Sequence, residues 1–173
     1  MNTNLISKRR ALYICPGWEL WSSVINELEV KYLIAPSAVI SHNSHFMEKK
    51  ITNKDCLLVD EKKFREGEEC ENNNALDEKI LKLIAPYKNI TIKMMERYYF
   101  GEFINNSTNQ VILYHKLVKY AYSMFIKIDP DMVISASPPH RVYDYLIKQF
   151  CIVHNKKFLC FEHTNIPFLS YFK

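Results

Sequence analysis

Met132–Phe161 reads MVISASPPHRVYDYLIKQFCIVHNKKFLCF. Met132 to Ala136 is an apolar run of strand length, and Asp129-Pro130-Asp131 before it is a turn signal. Ser137-Pro138-Pro139 follows. Serine is a good N-cap and proline is favoured at the first helical position, so a helix is expected to open there. Val142, Leu146, Phe150 and Val153 then recur at i, i+4, i+8 and i+11, an apolar stripe on one helical face. His154-Asn155-Lys156 ends that helix, and Phe158 to Phe161 is the next strand. Strand, helix and strand within about 30 residues form a right-handed crossover that feeds a parallel sheet.

Upstream the same alternation continues. Ala11 to Cys15 (ALYIC) is a buried strand closed by Pro16-Gly17, and Trp18 to Val30 places Leu20, Val24, Ile25 and Leu28 on one helical face. Tyr32 to Ala35 (YLIA) reads as a strand stopped by Pro36-Ser37, and Cys56 to Val59 (CLLV) as another with Asp60 at its carboxyl end. Arg65 to Asn74 is polar and acidic and reads as a surface loop. Ala75 to Ala85 has helical spacing at Leu76, Ile80, Leu83 and Ile84, with Pro86 as its stop. Ile90 to Met94 (ITIKM) is a further strand candidate, and helices are expected near Glu96 to Ile104 and Thr108 to Ile128. Six strand candidates alternating with helices predict one α/β domain over residues 1–173. Its sheet is doubly wound and mostly parallel, Rossmann-like, with helices on both faces.

Composition narrows the function. The chain has 173 residues, 48% of them hydrophobic and 24% charged, which suits one packed core and excludes disorder as the default. A net charge of +4, spread evenly, argues against a nucleic-acid partner. With only three glycines, at positions 17, 67 and 101, neither standard Gly-rich phosphate loop can form. The five cysteines form no CxxC pair and no zinc spacing, and four of them lie in apolar runs, so they read as reduced packing residues. His42 and His45 have no acidic partner nearby and read as surface residues, so no metal site is expected and no cofactor is implied. No apolar run reaches the roughly 18 residues of a membrane helix, and the Lys8-Arg9-Arg10 start lacks a signal-peptide cleavage site. A cytoplasmic chain is expected, or one peripheral to the inner membrane.

Ligands of an open parallel sheet bind at the carboxyl ends of its strands. That rule collects Pro16-Gly17-Trp18, Ser37, Asp60-Glu61, Glu96-Arg97, His140-Arg141 and Glu162-His163-Thr164-Asn165. The densest cluster is Ser135 to Asp144, SASPPHRVYD. A helix opening there offers N–H groups and a positive dipole end to an anion, with His140 and Arg141 in its first turn. His140 lies one turn from Asp144, where a carboxylate can fix an imidazole in one tautomer and make it a general base. Trp18 and Trp21 read as packing residues, and Tyr98-Tyr99-Phe100 as packing or a stacking surface.

The stretch DPDMVISASPPHRVYDYLIKQFCIVHNKKFLCFEHTNIP, residues 129–167, resembles a segment of bacterial capsular and surface polysaccharide biosynthesis proteins of the glycosyltransferase type. Pro138-Pro139-His140, Tyr143-Asp144-Tyr145 and Ile166-Pro167 carry the resemblance. It implies the amino-terminal, acceptor-side half of an enzyme with paired Rossmann-like domains (the GT-B arrangement), working without a bound metal. On that resemblance His140 is the base, Asp144 orients it, and Arg141 contacts the acceptor or an anion. Glu162, His163 and Gly17 line the same crevice. The acceptor is a sugar or a lipid-linked sugar, and a nucleotide-sugar donor belongs to a second domain or partner chain that these 173 residues lack. The alternative is a non-catalytic α/β interaction or scaffold domain that uses the apolar terminus Ile166, Phe168, Leu169, Tyr171 and Phe172. A small hydrolase has no Gly-x-Ser-x-Gly elbow to support it.

Overall fold

In a computed structural model, residues 7–66, 76, 78–98, 107–163 and 170–172 are described. The apolar runs pair as β1 (Arg9–Ile14), β2 (Ile34–Ser41), β3 (Leu57–Asp60), β4 (Met132–Ser135) and β5 (Lys157–His163). All four pairings among these strands are parallel, in the order β3-β2-β1-β4-β5. A sixth strand, β6 (Ser170–Phe172), adds antiparallel to β5. The chain steps outward from β1 through α1 (Glu19–Tyr32) and α2 (Ser44–Lys50), then returns to the centre and steps the other way from β4 through α7 (Val142–Val153). Right-handed crossovers in opposite directions put their helices on opposite faces, which makes the fold Rossmann-like and doubly wound.

Two cores follow from the alternation along β1. Ala11, Tyr13 and Cys15 face α1 and α2, joining Ile25, Val39, Met47, Met132 and Ile134. Leu12 and Ile14 face the other side, where α3 (Glu61–Glu66), α4 (Glu78–Ile84), α5 (Lys88–Tyr98), α6 (Ser107–Ile128) and α7 pack together. Each fully buried large side chain in these layers, such as Ile25 or Phe150, contributes about 1.5–3 kcal/mol of transfer free energy.

Several elements depart from expectation. Residues 90–94 lie in α5, not in a strand. Thr91 and Met95, four apart, are the buried positions, and the Thr91 hydroxyl donates to the Tyr87 carbonyl at 2.9 Å. The β-like alternation of ITIKM was an accident of Thr91 standing on the inner face of a helix. Glu96 and Arg97 are therefore on that helix rather than at a strand end. Nor does Pro36 stop β2, which runs to Ser41. The register slips between Ala11 and Leu12, so that Pro36 and Ser37 together oppose Ala11, and the Ser37 hydroxyl donates to the Ala11 carbonyl at 3.0 Å. A proline that cannot donate to the ladder is accommodated at this bulge. Ser37 is accordingly mid-strand and not at the carboxyl edge.

On α1 the inner face is Trp21, Ser22, Ile25, Leu28 and Glu29, while Leu20 and Trp18 are exposed. On α4, Ile80 and Ile84 are buried but Leu83 is exposed, and Pro86 sits in a 3-10 turn (Ala85–Tyr87) that leads into α5. Two short helices, α2 and α3, went unread in the sequence. Cys15, Cys151 and Cys160 are buried and Cys56 is half-buried, all as free thiols. The expectations for Cys70, Tyr99-Phe100, the helix beyond Tyr98 up to Ile104, most of the 65–74 loop, and Thr164 to Leu169 lie outside the described residues.

Candidate functional site

Strands β1 and β4 are neighbours whose chains depart in opposite directions, the switch point at which the strand-end rule puts a ligand crevice. Residues 15–18, which follow β1, and residues 136–141, which follow β4, would be its two walls. At the first wall, Gly17 is buried against the turn that follows β2. A Cβ there would fall 2.4 Å from the Asn43 Cβ and 2.9 Å from both the Asn43 carbonyl oxygen and the Ser41 hydroxyl. Glycine is required because two strand-end turns approach each other at that point. Trp18 follows, 61% exposed, as the N-cap residue of α1. Its neighbour Trp21 packs edge-on to Phe161 of β5, with ring centroids 5.4 Å apart.

The second wall is a rigid turn. Helix α7 begins at Val142 with Arg141 as its N-cap residue, not at Ser137. The reason is the double proline. A residue before proline is steered away from the α region, which disfavours a helix start at Ser137 or Pro138, and the chain bends there instead. The buried Ser135 hydroxyl donates to the Ser137 carbonyl at 2.7 Å, which closes the strand end. His140 and Arg141 therefore stand in the turn before the helix.

Asp144, 1% exposed, organises that turn. Its carboxylate accepts the backbone N–H of Arg141 at 2.8 Å and that of His140 at 3.2 Å. These are the donors that were expected to await a ligand anion, and the protein satisfies them with its own side chain. Burial raises the Asp144 carboxyl to about 6, against the opposing pull of these two N–H groups and of the charges on His140 and Arg141.

The imidazole of His140 is 3.7 Å from the Asp144 carboxylate, beyond hydrogen-bonding distance. Its Nδ1 lies 3.0 Å from the Pro138 carbonyl oxygen and 3.2 Å from the Ser137 hydroxyl. A carbonyl oxygen only accepts, so a hydrogen bond to it needs the proton on Nδ1, and a neutral ring of that tautomer would keep the Nε2 lone pair. A backbone carbonyl, rather than the expected carboxylate, is thus the acceptor that faces Nδ1, and Asp144 acts one step back, on the turn. The ring is half-exposed at the crevice.

Arg141 is committed elsewhere. Its Nη1 donates to the Glu61 carboxylate, and it lies 3.0 Å from the Tyr143 hydroxyl. Glu61 is 5% exposed at the start of α3, and Tyr143 is 4% exposed on α7, where burial raises its hydroxyl well above the ordinary range. This pair joins the end of β3 to the end of β4 across the helical face of the sheet. Glu61 was among the strand-end candidates; Tyr143 was named only as one of the residues that carry the resemblance.

Glu162 and His163 occupy the part of β5 beyond its last pairing with β4, Ser135↔Cys160, and pair instead with Tyr171 and Ser170 of β6. They are at the carboxyl edge, as the sequence rule places them. Asp60 ends β3 on the same edge, and its carboxylate accepts the Lys62 N–H at 2.8 Å. His42 and His45 are exposed, but an acidic partner is near after all, since His45 Nδ1 lies 3.5 Å from the Glu48 carboxylate one turn on in α2; no group of three metal-ligating side chains occurs among the described residues. No helix of the described residues is long and apolar enough to cross a membrane. Comparison of the chain with protein-family models, curated proteins and solved structures finds no match.

Proposed function

We propose that this chain is the acceptor-side domain of a glycosyltransferase-like protein of surface polysaccharide biosynthesis, with His140 as its general base. The single observation that carries the reading is the His140 ring. At the switch point of a Rossmann-like sheet, an imidazole stands with Nδ1 3.0 Å from a backbone carbonyl, a contact that would leave Nε2 free to accept a proton. A hydroxyl of a bound sugar placed against Nε2 would lose its proton to that nitrogen as it attacks the donor's anomeric carbon. Asp144 supports this by fixing the turn, and Arg141 by tying the turn to β3 through Glu61. Trp18, exposed on the facing wall, offers an aromatic surface of the kind that stacks on a sugar ring. In this reading the nucleotide diphosphate of the donor is bound by a second domain or a separate chain. The resemblance of the 129–167 stretch supplies the reaction class; the crevice supplies the base.

The same turn also supports a purely structural reading, since Asp144 and Arg141 spend their hydrogen bonds on the protein itself. Calorimetric titration of the folded chain separates the two. A panel of short oligosaccharides and lipid-phosphate-linked sugars is expected to include one saturable ligand, weakened by Trp18→Ala, while nucleotide sugars give no heat. Tight binding of a nucleotide sugar would reassign the chain to the donor side. A folded chain that binds neither class is a scaffold domain.

A further inference from the structure

A pocket of about 420 Å³ opens at the amino-terminal edge of the sheet, the edge opposite the crevice. Its origin is a mismatch of strand lengths. β2 has eight residues and β3 has four, and their pairing begins only at Ala38↔Leu57. The Ile34–Ser37 half of β2 therefore has no β3 residue beside it, and the bulge at Pro36-Ser37 falls on that stretch. Ala35, Pro36, Leu57 and Ile128 give the pocket an apolar floor, to which the end of α6 contributes Ile128.

The polar rim is unequal in charge. Arg10 and Lys127 bring two cations and Asp55 one carboxylate. Arg10 is held by Asp129 at 2.5 Å, and Asp129 also receives Lys156 at 3.4 Å. Lys127 is exposed and makes no ion pair with any described residue. The pocket thus combines an apolar base, an open strand edge and an exposed ammonium that no carboxylate of the described residues pairs, with Asp55 elsewhere on the rim, within the size range of small-ligand sites.

We propose that this pocket is a second binding site, for a small organic anion with an apolar body, such as an aromatic carboxylate or sulfonate. The apolar body rests on Pro36, Leu57 and Ile128, and the anionic group meets Lys127, with Arg10 alongside. The site is independent of the crevice and of any activity there.

Anilinonaphthalene sulfonate, an aromatic anion that fluoresces when it leaves water, tests this directly on the full chain. The expected result is one saturable site per chain. Reversal of the exposed cation in Lys127→Glu should weaken it roughly fivefold to tenfold, the scale of one surface ion pair replaced by a repulsion. Uncharged phenylnaphthylamine should lose nothing in the same variant, and Leu20→Ala, at an exposed apolar position elsewhere, should bind the anion as the wild type does. Ala35→Trp, which fills the floor, should abolish binding of both probes, with circular dichroism confirming the fold. Absence of a saturable site, or anion binding unchanged in Lys127→Glu, would overturn the proposal.

Discussion

The Asp144 carboxyl is a buried acid doing two jobs that oppose each other electrostatically. It accepts two backbone N–H groups, which favours the charged form, and it sits at 1% exposure, which disfavours it more. With the folded-state value near 6 and an unfolded value near 3.9, protonation favours the folded state. Its contribution to stability is complete below the unfolded value and is lost as pH rises through about 6. The wild type should therefore gain on the order of 2 kcal/mol relative to Asp144→Asn as pH falls from 7 to 4, read by urea denaturation across that range. A constant difference between the two proteins would remove the buried-acid account. His140 gives a second test at this scale. Long-range nitrogen–proton NMR correlations should show Nδ1 protonated in the neutral ring, because the Pro138 carbonyl can only accept. A ring protonated on Nε2 would leave it no lone pair facing the crevice.

At the level of elements, Gly17 couples two turns. An added Cβ meets Asn43 backbone and side chain together, so neither turn can yield alone. Gly17→Ala should cost about 1–3 kcal/mol by overpacking, seen as a lowered melting temperature. A variant as stable as the wild type would mean that the turns are not in contact. The elements that were legible in the sequence are those whose burial is one-sided or complete. β1, β3, β4, β5, α6 and α7 all stand where their apolar runs and stripes put them. What misled was local chemistry overridden by neighbours. Thr91 is a β-former that a helix buries because its hydroxyl reaches the Tyr87 carbonyl. Pro36 is a breaker that a bulge absorbs because Ser37 replaces the missing donor. Ser137 is a good cap that the following prolines keep out of the helix. The candidate site was legible in position, since the strand-end rule named His140, Arg141, Glu61 and Asp144's turn. It was not legible in wiring: which carboxylate meets Arg141, and which acceptor meets Nδ1, depend on β3 and β4 being brought to one edge from distant parts of the chain.

The whole molecule presents two edges of one sheet with different chemistry. The carboxyl edge gathers the ends of five parallel strands, with Gly17, Trp18, Asp60, Glu61 and the His140 turn, and the amino edge carries the apolar pocket beside Lys127. The polarity of a parallel sheet makes these edges unequivalent, because every strand delivers its following loop to the same side. On the proposed function, the carboxyl edge is where the sugar acceptor binds. The most direct test is backbone-amide NMR of the labelled chain, titrated with a short oligosaccharide panel. The account predicts shifts confined to residues 15–18, 41–43 and 136–141. Shifts confined to the amino edge around residues 35–37 and 57, or a complete absence of shifts from every sugar, would contradict it.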